Sequence, residues 1–312
     1  MLQIFKNTAI DFIAKRRIAY GLSALVILIG MASIVSNGGL KYGIDFAGGL
    51  ALRLRFESPP TIGSVRGAIS SLDIAGAEVQ TVGDGAEILV RVPVEGVEGG
   101  DDRSDEILGS LKTQIDPTVS VLSADKVGPK VGAELKGQAI KAIVLALLAI
   151  VAYITLRFEF RFGIAAIVTL THDVLVVVGL LMLLNREMSL PIVAALLTIV
   201  GYSLNDTIVV FDRIREDTKL MRRRPYGEVL NASINRTLSR TVITSVTTLI
   251  PVTTLMILGG SVIQDFALAL LMGVLVGTYS SIFVASPVLF EWNERKPRAV
   301  APVKAPRVKA NA

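Results

Sequence analysis

Three short polar motifs interrupt otherwise apolar stretches, and their residue types could handle protons. His172-Asp173 stands ten residues into the apolar run Phe162–Leu184, about 15 Å deep at the rise of an α-helix. Asn205-Asp206 lies five residues before the end of the run Leu190–Phe211, about 8 Å from that end. Arg240 immediately precedes the run Thr241–Leu258. A charge at bilayer depth costs about 2.5–3.5 kcal/mol on insertion scales, so such residues usually face the interior of a helical bundle and act there. If the fourth and fifth runs pack as helices, the Asp206 carboxylate and the Arg240 guanidinium can approach. An ion pair favours the charged acid and burial favours the neutral one. A site alternating between those environments would bind and release a proton; a static pair locking two helices accounts for the same residues.

Thr237, Thr241, Thr244 and Thr248 follow at steps of four, three and four, one face of a helix. Their hydroxyls could line a hydrated path beside Arg240, or simply bond between helices. His172 likewise could be a working group or a packing histidine satisfied by a neighbour.

These residues need a membrane scaffold. Of 312 residues, 52% are hydrophobic and 19% charged, with no cysteine and one histidine. Disulfides, thiol redox chemistry, Fe–S clusters and Cys-based zinc sites are excluded, as is a three-His metal site. Six windows are long and apolar enough to span a bilayer: Ile18–Ser36, Gln138–Leu156, Phe162–Leu184, Leu190–Phe211, Thr241–Leu258 and Val262–Phe290. The first is longer than a signal-peptide core and lacks a clear cleavage site, so it is expected to be an uncleaved anchor. Lys and Arg set the orientation. Segments 1–17, 157–161, 212–240 and 291–312 carry 4, 2, 8 and 6 basic residues, against one, Arg186, in loops 185–189 and 259–261. Both termini are therefore expected in the cytoplasm. Within 212–240 part of the chain is expected as an interfacial helix, with Arg222-Arg223-Arg224 at the lipid headgroups. The Pro- and Lys/Arg-containing tail 291–312 is expected to be disordered. The basic excess suits a membrane surface, and no aromatic-interleaved basic patch points to nucleic acid.

Segment 37–137 is the large external piece, with 10 basic and 15 acidic residues. Leu50–Phe56 alternates apolar and polar residues as a strand does. A helix is expected from Pro59-Pro60-Thr61 to Leu72, strands at Glu78–Val82 and Ala86–Val92 around the hairpin signal Gly83-Asp84-Gly85, and a loop at Gly99–Asp102. A helix at Arg103–Ile115 and a strand at Thr118–Ala124 complete a β-α-β-β-α-β order, the ferredoxin-like arrangement. It holds no triad, metal cluster or phosphate loop, so a binding or lever module is expected and not an enzyme. The fold class is thus a polytopic α-helical membrane protein: a cytoplasmic N-terminus 1–17, a first helix 18–36, a ferredoxin-like periplasmic domain 37–137, and a five-helix bundle 138–290 with a cytoplasmic segment 212–240.

Four longer motifs identify a family. Gly43-Ile44-Asp45-Phe46-Ala47-Gly48-Gly49 follows the first helix, and Val127-Gly128-Pro129-Lys130-Val131-Gly132-Ala133-Glu134-Leu135 ends the external domain. Ser203 to Glu216 runs Ser-Leu-Asn-Asp-Thr-Ile-Val-Val-Phe-Asp-Arg-Ile-Arg-Glu, and Asn235-Arg236-Thr237-Leu238-Ser239-Arg240-Thr241 precedes the threonine-rich span. Together with His172-Asp173 they resemble the SecD/SecF family of RND-type membrane proteins, over nearly the whole chain. The resemblance implies a subunit that pairs with SecD as a heterodimer, works beside the SecYEG channel with YajC and YidC as associated partners, and uses the proton-motive force, with no bound cofactor, to draw preproteins across the bacterial cytoplasmic (inner) membrane. It places the family's membrane carboxylate on Asp206 and its membrane arginine on Arg240. Asn205, Asp212, Arg213, Thr237, Thr241, Thr244, Thr248, His172 and Asp173 are expected in support, and Gly43, Asp45, Phe46, Gly48 and Gly49 at the junction of helix and domain. One proton crossing 100 mV carries about 2.3 kcal/mol, enough to bias a small domain rotation but not to unfold a stable substrate. Rival assignments are half of an RND-type small-molecule exporter, which would carry two large external domains, and a passive scaffold. An intramembrane protease lacks the His-Glu-x-x-His motif or a facing pair of catalytic groups.

Overall fold

The computed structural model describes residues 8–74, 76–82, 85–93 and 102–294. The expected hairpin residues Gly83 and Asp84, most of the loop Gly99–Asp102, and the tail beyond Glu294 lie outside them. Six helices in the described residues have the length and apolarity to cross a membrane: α1 (Arg16–Ser36), α5 (Pro129–Arg157), α6 (Phe160–Leu183), α7 (Leu190–Leu220), α8 (Tyr226–Leu258), and a last span of α9 (Gly260–Ser280), a π-helical turn (Ser281–Ala285) and α10 (Ser286–Glu294). Pro287 has no N–H for the carbonyl of Phe283, and the slipped ladder of the π turn stands just before it.

Between α1 and α5 stand α2 (Ile44–Ala47), β1 (Gly49–Arg55), α3 (Ile62–Ser70), β2 (Glu78–Val82), β3 (Glu87–Val92), α4 (Asp102–Gln114) and β4 (Ser120–Val127). The antiparallel sheet has the order β2-β3-β1-β4, the ferredoxin-like topology that alternation and turn chemistry predict. Leu50, Leu52 and Leu54 of β1 and Ile88, Val90 and Val92 of β3 turn to one face and pack on Val65 and Ile69 of α3 and Ile107 and Leu111 of α4. Thr61 caps α3 by accepting from Ser64 N at 3.2 Å, as expected of that residue type. The last strand starts two residues later than its composition suggests. Asp116 accepts from the N–H of Thr118 at 2.8 Å, and this Asx turn holds Thr118 out of the ladder.

Two expectations about the bundle change. Segment 212–240 contains no separate interfacial helix: α7 runs on to Leu220, α8 begins at Tyr226, and only a tight turn carrying Arg222, Arg223 and Arg224 separates them. Segment 127–137 is mostly the first turns of α5, which starts at Pro129, a favoured first helical residue. Helices meet closely where glycines face each other. A Cβ on Gly30 of α1 would stand 2.6 Å from the Cα of Gly179 on α6, the small-residue packing typical of membrane helices. Phe158, Phe162 and Phe211 interlock where α5, α6 and α7 meet, the last two with ring centroids 5.1 Å apart.

Candidate functional site

Asp206 lies on the inward face of α7, 6% exposed. Thr241 of α8 donates to its Oδ1 at 2.9 Å, and Ser281, the first residue of the π turn, donates to its Oδ2 at 2.7 Å. Three spans thus converge on one carboxylate. Ser281 also lies 3.0 Å from the Thr278 carbonyl, so its hydroxyl has a second acceptor one turn back. Thr278 Oγ1 in turn lies 2.6 Å from Ser245 Oγ on α8, which Tyr202 of α7 reaches at 3.4 Å. The seam between α7, α8 and the last span is therefore polar over about one helical turn.

Arg240 is exposed, and among the described residues it makes no hydrogen bond or ion pair with Asp206. Successive helical residues point about 100° apart; Thr241, the neighbour, takes the inward direction. Asn205 and Asp212 also lie on exposed faces. Arg213 points away from Asp206 to Glu216 and Asp217, at 2.7 and 3.2 Å. Of the threonines, Thr237 is buried but bonds the carbonyls of Ser233 and Ile234, while Thr244 and Thr248 bond carbonyls of their own helix. Only Thr241 reaches the carboxylate, so the expected threonine-lined path reduces to one hydroxyl.

His172 and Asp173 are both buried. His172 Nδ1 is 2.9 Å from Asp173 Oδ1, and Nε2 is 2.9 Å from Ser23 Oγ on α1. Ser203 of α7 and Ser280 of α9 donate to Asp173 Oδ2 at 2.5 and 2.8 Å. Gly277 makes room: a Cβ there would come within 3.0 Å of Ser203 Cβ. Among the described residues no group of three or more His, Asp or Glu is placed to hold a metal ion.

The junction residues do architectural work. Asp45 accepts from the backbone N–H of Leu190 at 2.8 Å, capping α7 where Ser189 does not. Gly43 N–H donates to the Met188 carbonyl at 2.8 Å. Phe46 is buried among Val177, Met182 and Ile192. Gly48 and Gly49 have φ of 76° and 124°, a region closed to most side chains, and a Cβ on Gly49 would overlap the Val92 carbonyl. The motif thus ties the start of β1 to the ends of α6 and α7.

Residues 33–60 match the family model for the SecD/SecF GG motif, and residues 107–295 match that for protein export membrane protein SecD/SecF, C-terminal. The chain belongs to the SecD/SecF family. It is 44% identical over 300 residues to the protein translocase subunit SecF of Desulfurispirillum indicum, covering 94% of each chain. It is 43% identical over 284 residues to the protein translocase subunit SecDF of Thermus thermophilus, covering 89% of this chain and 38% of that one. The crystal structure of SecDF from Thermus, described as a translocon-associated membrane protein, superposes with a TM-score of 0.86 at 40% identity over 95% of this chain and 40% of the other. The chain therefore spans about two fifths of the SecDF chain it matches.

Two features of this SecD/SecF-family chain are not read from its motifs. The first is the contribution of Ser23, Ser280 and Ser281; serine at depth is common and gives no signal alone. The second is Asp217, fully buried although it lies beyond the apolar window of α7. It accepts from Arg236 at 2.5 Å, Ser233 at 2.9 Å and Arg213 at 3.2 Å. At the opposite end of the bundle the open face of the sheet rests on the loops, with an ion pair between Arg91 of β3 and Glu187 and another between Arg186 and Asp265 at 3.0 Å. Burial pushes the Arg91 guanidinium below its ordinary value, while Glu78 and Asp265 draw it up.

Proposed function

We propose that the chain is the SecF-type subunit of the protein translocase: paired with SecD, it uses the proton-motive force to complete export of preproteins through the SecYEG channel, with YajC and YidC as associated partners. In this reading it sits in the bacterial inner membrane with both termini in the cytoplasm and the α/β domain in the periplasm, as the Lys/Arg asymmetry favours. The supporting observation is the coordination of Asp206, a buried carboxylate held by hydroxyls alone from two neighbouring spans. Such a group accepts a proton without breaking an ion pair. Protonation removes the charge and turns one carboxylate oxygen from acceptor into donor. Ser281 must then turn its own O–H to the Thr278 carbonyl and receive the new one. The seam between α7, α8 and the last span is repacked at the π turn, a helix defect frequent at functional sites. The rigid junction at Gly43–Gly49 and the docked face of the sheet give that repacking a route to the periplasmic domain. Arg240, with its exposed position on α8, meets the partner or the water path and not Asp206 directly. The mechanism is tested by Asp206→Asn in inverted vesicles holding the complete SecD-containing complex. Export is expected to proceed to its ATP-driven extent and to lose its response to collapse of the proton gradient. Undiminished sensitivity to that collapse would leave only a scaffold.

A further inference from the structure

We propose that Ser23, His172, Asp173 and Tyr279 form a one-proton switch, a second protonation site next to Asp206. Tyr279 of α9 has its hydroxyl 3.0 Å from the Ala19 carbonyl and 3.2 Å from Ser23 Oγ. Ser23 Oγ is 2.9 Å from His172 Nε2, and Nδ1 is 2.9 Å from Asp173 Oδ1. Each hydroxyl owns one proton, so all four contacts are made only when both ring nitrogens carry a proton, and the direction of donation follows which of two states the ring is in. In the first, Tyr279 donates to Ala19, Ser23 donates to Tyr279, and Nε2–H donates to Ser23. The contact between Nδ1 and Asp173 then needs a proton of its own, and the pair is imidazolium with carboxylate. In the second, Tyr279 donates to Ser23, Ser23 donates to a bare Nε2, and Nδ1–H donates to Asp173, so the ring is neutral. The two states differ by one proton exchanged with water, and rotation of two hydroxyls carries the difference without moving heavy atoms.

Among the described residues no other ionisable side chain hydrogen-bonds or ion-pairs with His172 or Asp173. Facing the pair are Ser23 from α1, Ser203 from α7, and Tyr279 and Ser280 from α9. On α5, also packed against α6, Lys130, Glu134, Lys136 and Lys141 stand in the first half and Arg157 at the end, and none of them bonds either group. From α10, Glu291 is taken by Arg16 at 2.9 Å. The link to Asp206 is covalent: Ser280 binds Asp173 and its successor Ser281 binds Asp206, where α-helix passes into π turn. This link, though not the switch itself, rests on the role given to Asp206 above.

His172 is the only histidine of the chain, so a 15N-histidine label reports one imidazole. The full chain is labelled, assembled with unlabelled SecD in liposomes, and followed by NMR from pH 9 to 5. The expected result is passage from a neutral Nδ1–H ring to a doubly protonated one. Tyr279→Phe keeps the ring stacked on His172, but removes two hydrogen bonds from the protonated arrangement, Tyr279 to Ala19 and Ser23 to Tyr279, and one from the neutral arrangement, Tyr279 to Ser23. The transition should then require roughly tenfold more protons, the worth of one neutral hydrogen bond. A ring that keeps one tautomer throughout, or a Tyr279→Phe transition coincident with that of the unaltered chain, overturns the switch. In Asp206→Asn the transition is expected to persist with a displaced midpoint; a superimposable curve removes the link through Ser280 and Ser281. Export that stays gradient-sensitive in Asp206→Asn refutes the role of Asp206 and leaves the histidine measurement to decide the switch alone.

Discussion

Asp217→Ala probes whether the long ends of α7 and α8 are joined by charge or by apolar packing alone. The carboxylate is fully buried and accepts three side-chain donors, from Arg213, Ser233 and Arg236. Breaking a buried pair by removing one partner costs about 3–5 kcal/mol when the other is stranded. Here both guanidinium side chains keep water access, at 30% and 46% exposure for Arg213 and Arg236. Ser233 also retains the Val229 carbonyl at 2.8 Å. The loss is then chiefly that of charge-assisted bonds worth about 1.5–3 kcal/mol each, partly offset by rehydration, and about 2–3 kcal/mol is expected in all. Arg236→Ala leaves Asp217 with two donors and should cost about half as much. Equilibrium unfolding of the full chain in mixed micelles with increasing SDS measures both, and the double variant closes a cycle whose coupling should exceed about 1 kcal/mol, as for residues in one network. A coupling within about 0.3 kcal/mol of zero would refute the network, because Asp217 and Arg236 would then contribute independently.

Other substitutions test the remaining joints. Gly179→Leu places a side chain against the backbone of Gly30; α1 should separate from α6, and engineered cysteine pairs across this crossing, in a chain without native cysteine, should lose disulfide formation. Gly49→Ala forces a side chain into positive φ and onto the Val92 carbonyl; the α/β domain should lose at least about 2 kcal/mol, read as faster amide exchange in β1 and β3. Asp116 lies below the ordinary carboxyl value of 3.8 because the Thr118 hydroxyl and the N–H groups of Glu57 and Thr118 bind its charged form. Its contribution to stability is complete above that value and disappears as pH falls through the lower folded one. Protection of the Glu57 and Thr118 amides should therefore drop in acid in the unaltered chain, and in Asp116→Ala, which has no acceptor for either N–H, it should be weak at every pH.

The sequence shows the spans and the small sheet because both signals are local. An apolar run is long enough to span a bilayer or it is not, whatever surrounds it, and the alternation at Leu50–Phe56 gives a strand one apolar face. Asp206 and His172-Asp173 stand out for a related reason, since ionisable groups at depth are costly enough to be rare. The junction motif shows its glycines but not their reasons, which are the Val92 carbonyl above Gly49 and the cap Asp45 gives to α7.

What escaped the sequence depends on helix phase and on distance along the chain. Arg240 and Thr241 are neighbours, and spacing alone does not say which faces the carboxylate; the rotation of α8 against α7 turns the threonine inward and leaves the arginine outside. Ser281 lies 75 residues from Asp206, and Ser280 lies 107 from Asp173. A serine hydroxyl is cheap to bury once it can bond its own helix, so its presence in a span carries no message until packing supplies an acceptor. Asp217 falls beyond the apolar window and so resembles a solvated residue; only the continuation of α7 and α8 past that window closes around it. Composition and periodicity therefore determined that the described residues hold six helices long and apolar enough to cross a membrane and a ferredoxin-like domain. The partners of its buried acids were decided by packing, because a hydrogen bond needs a few tenths of an ångström of accuracy and an apolar stretch needs only to be long enough.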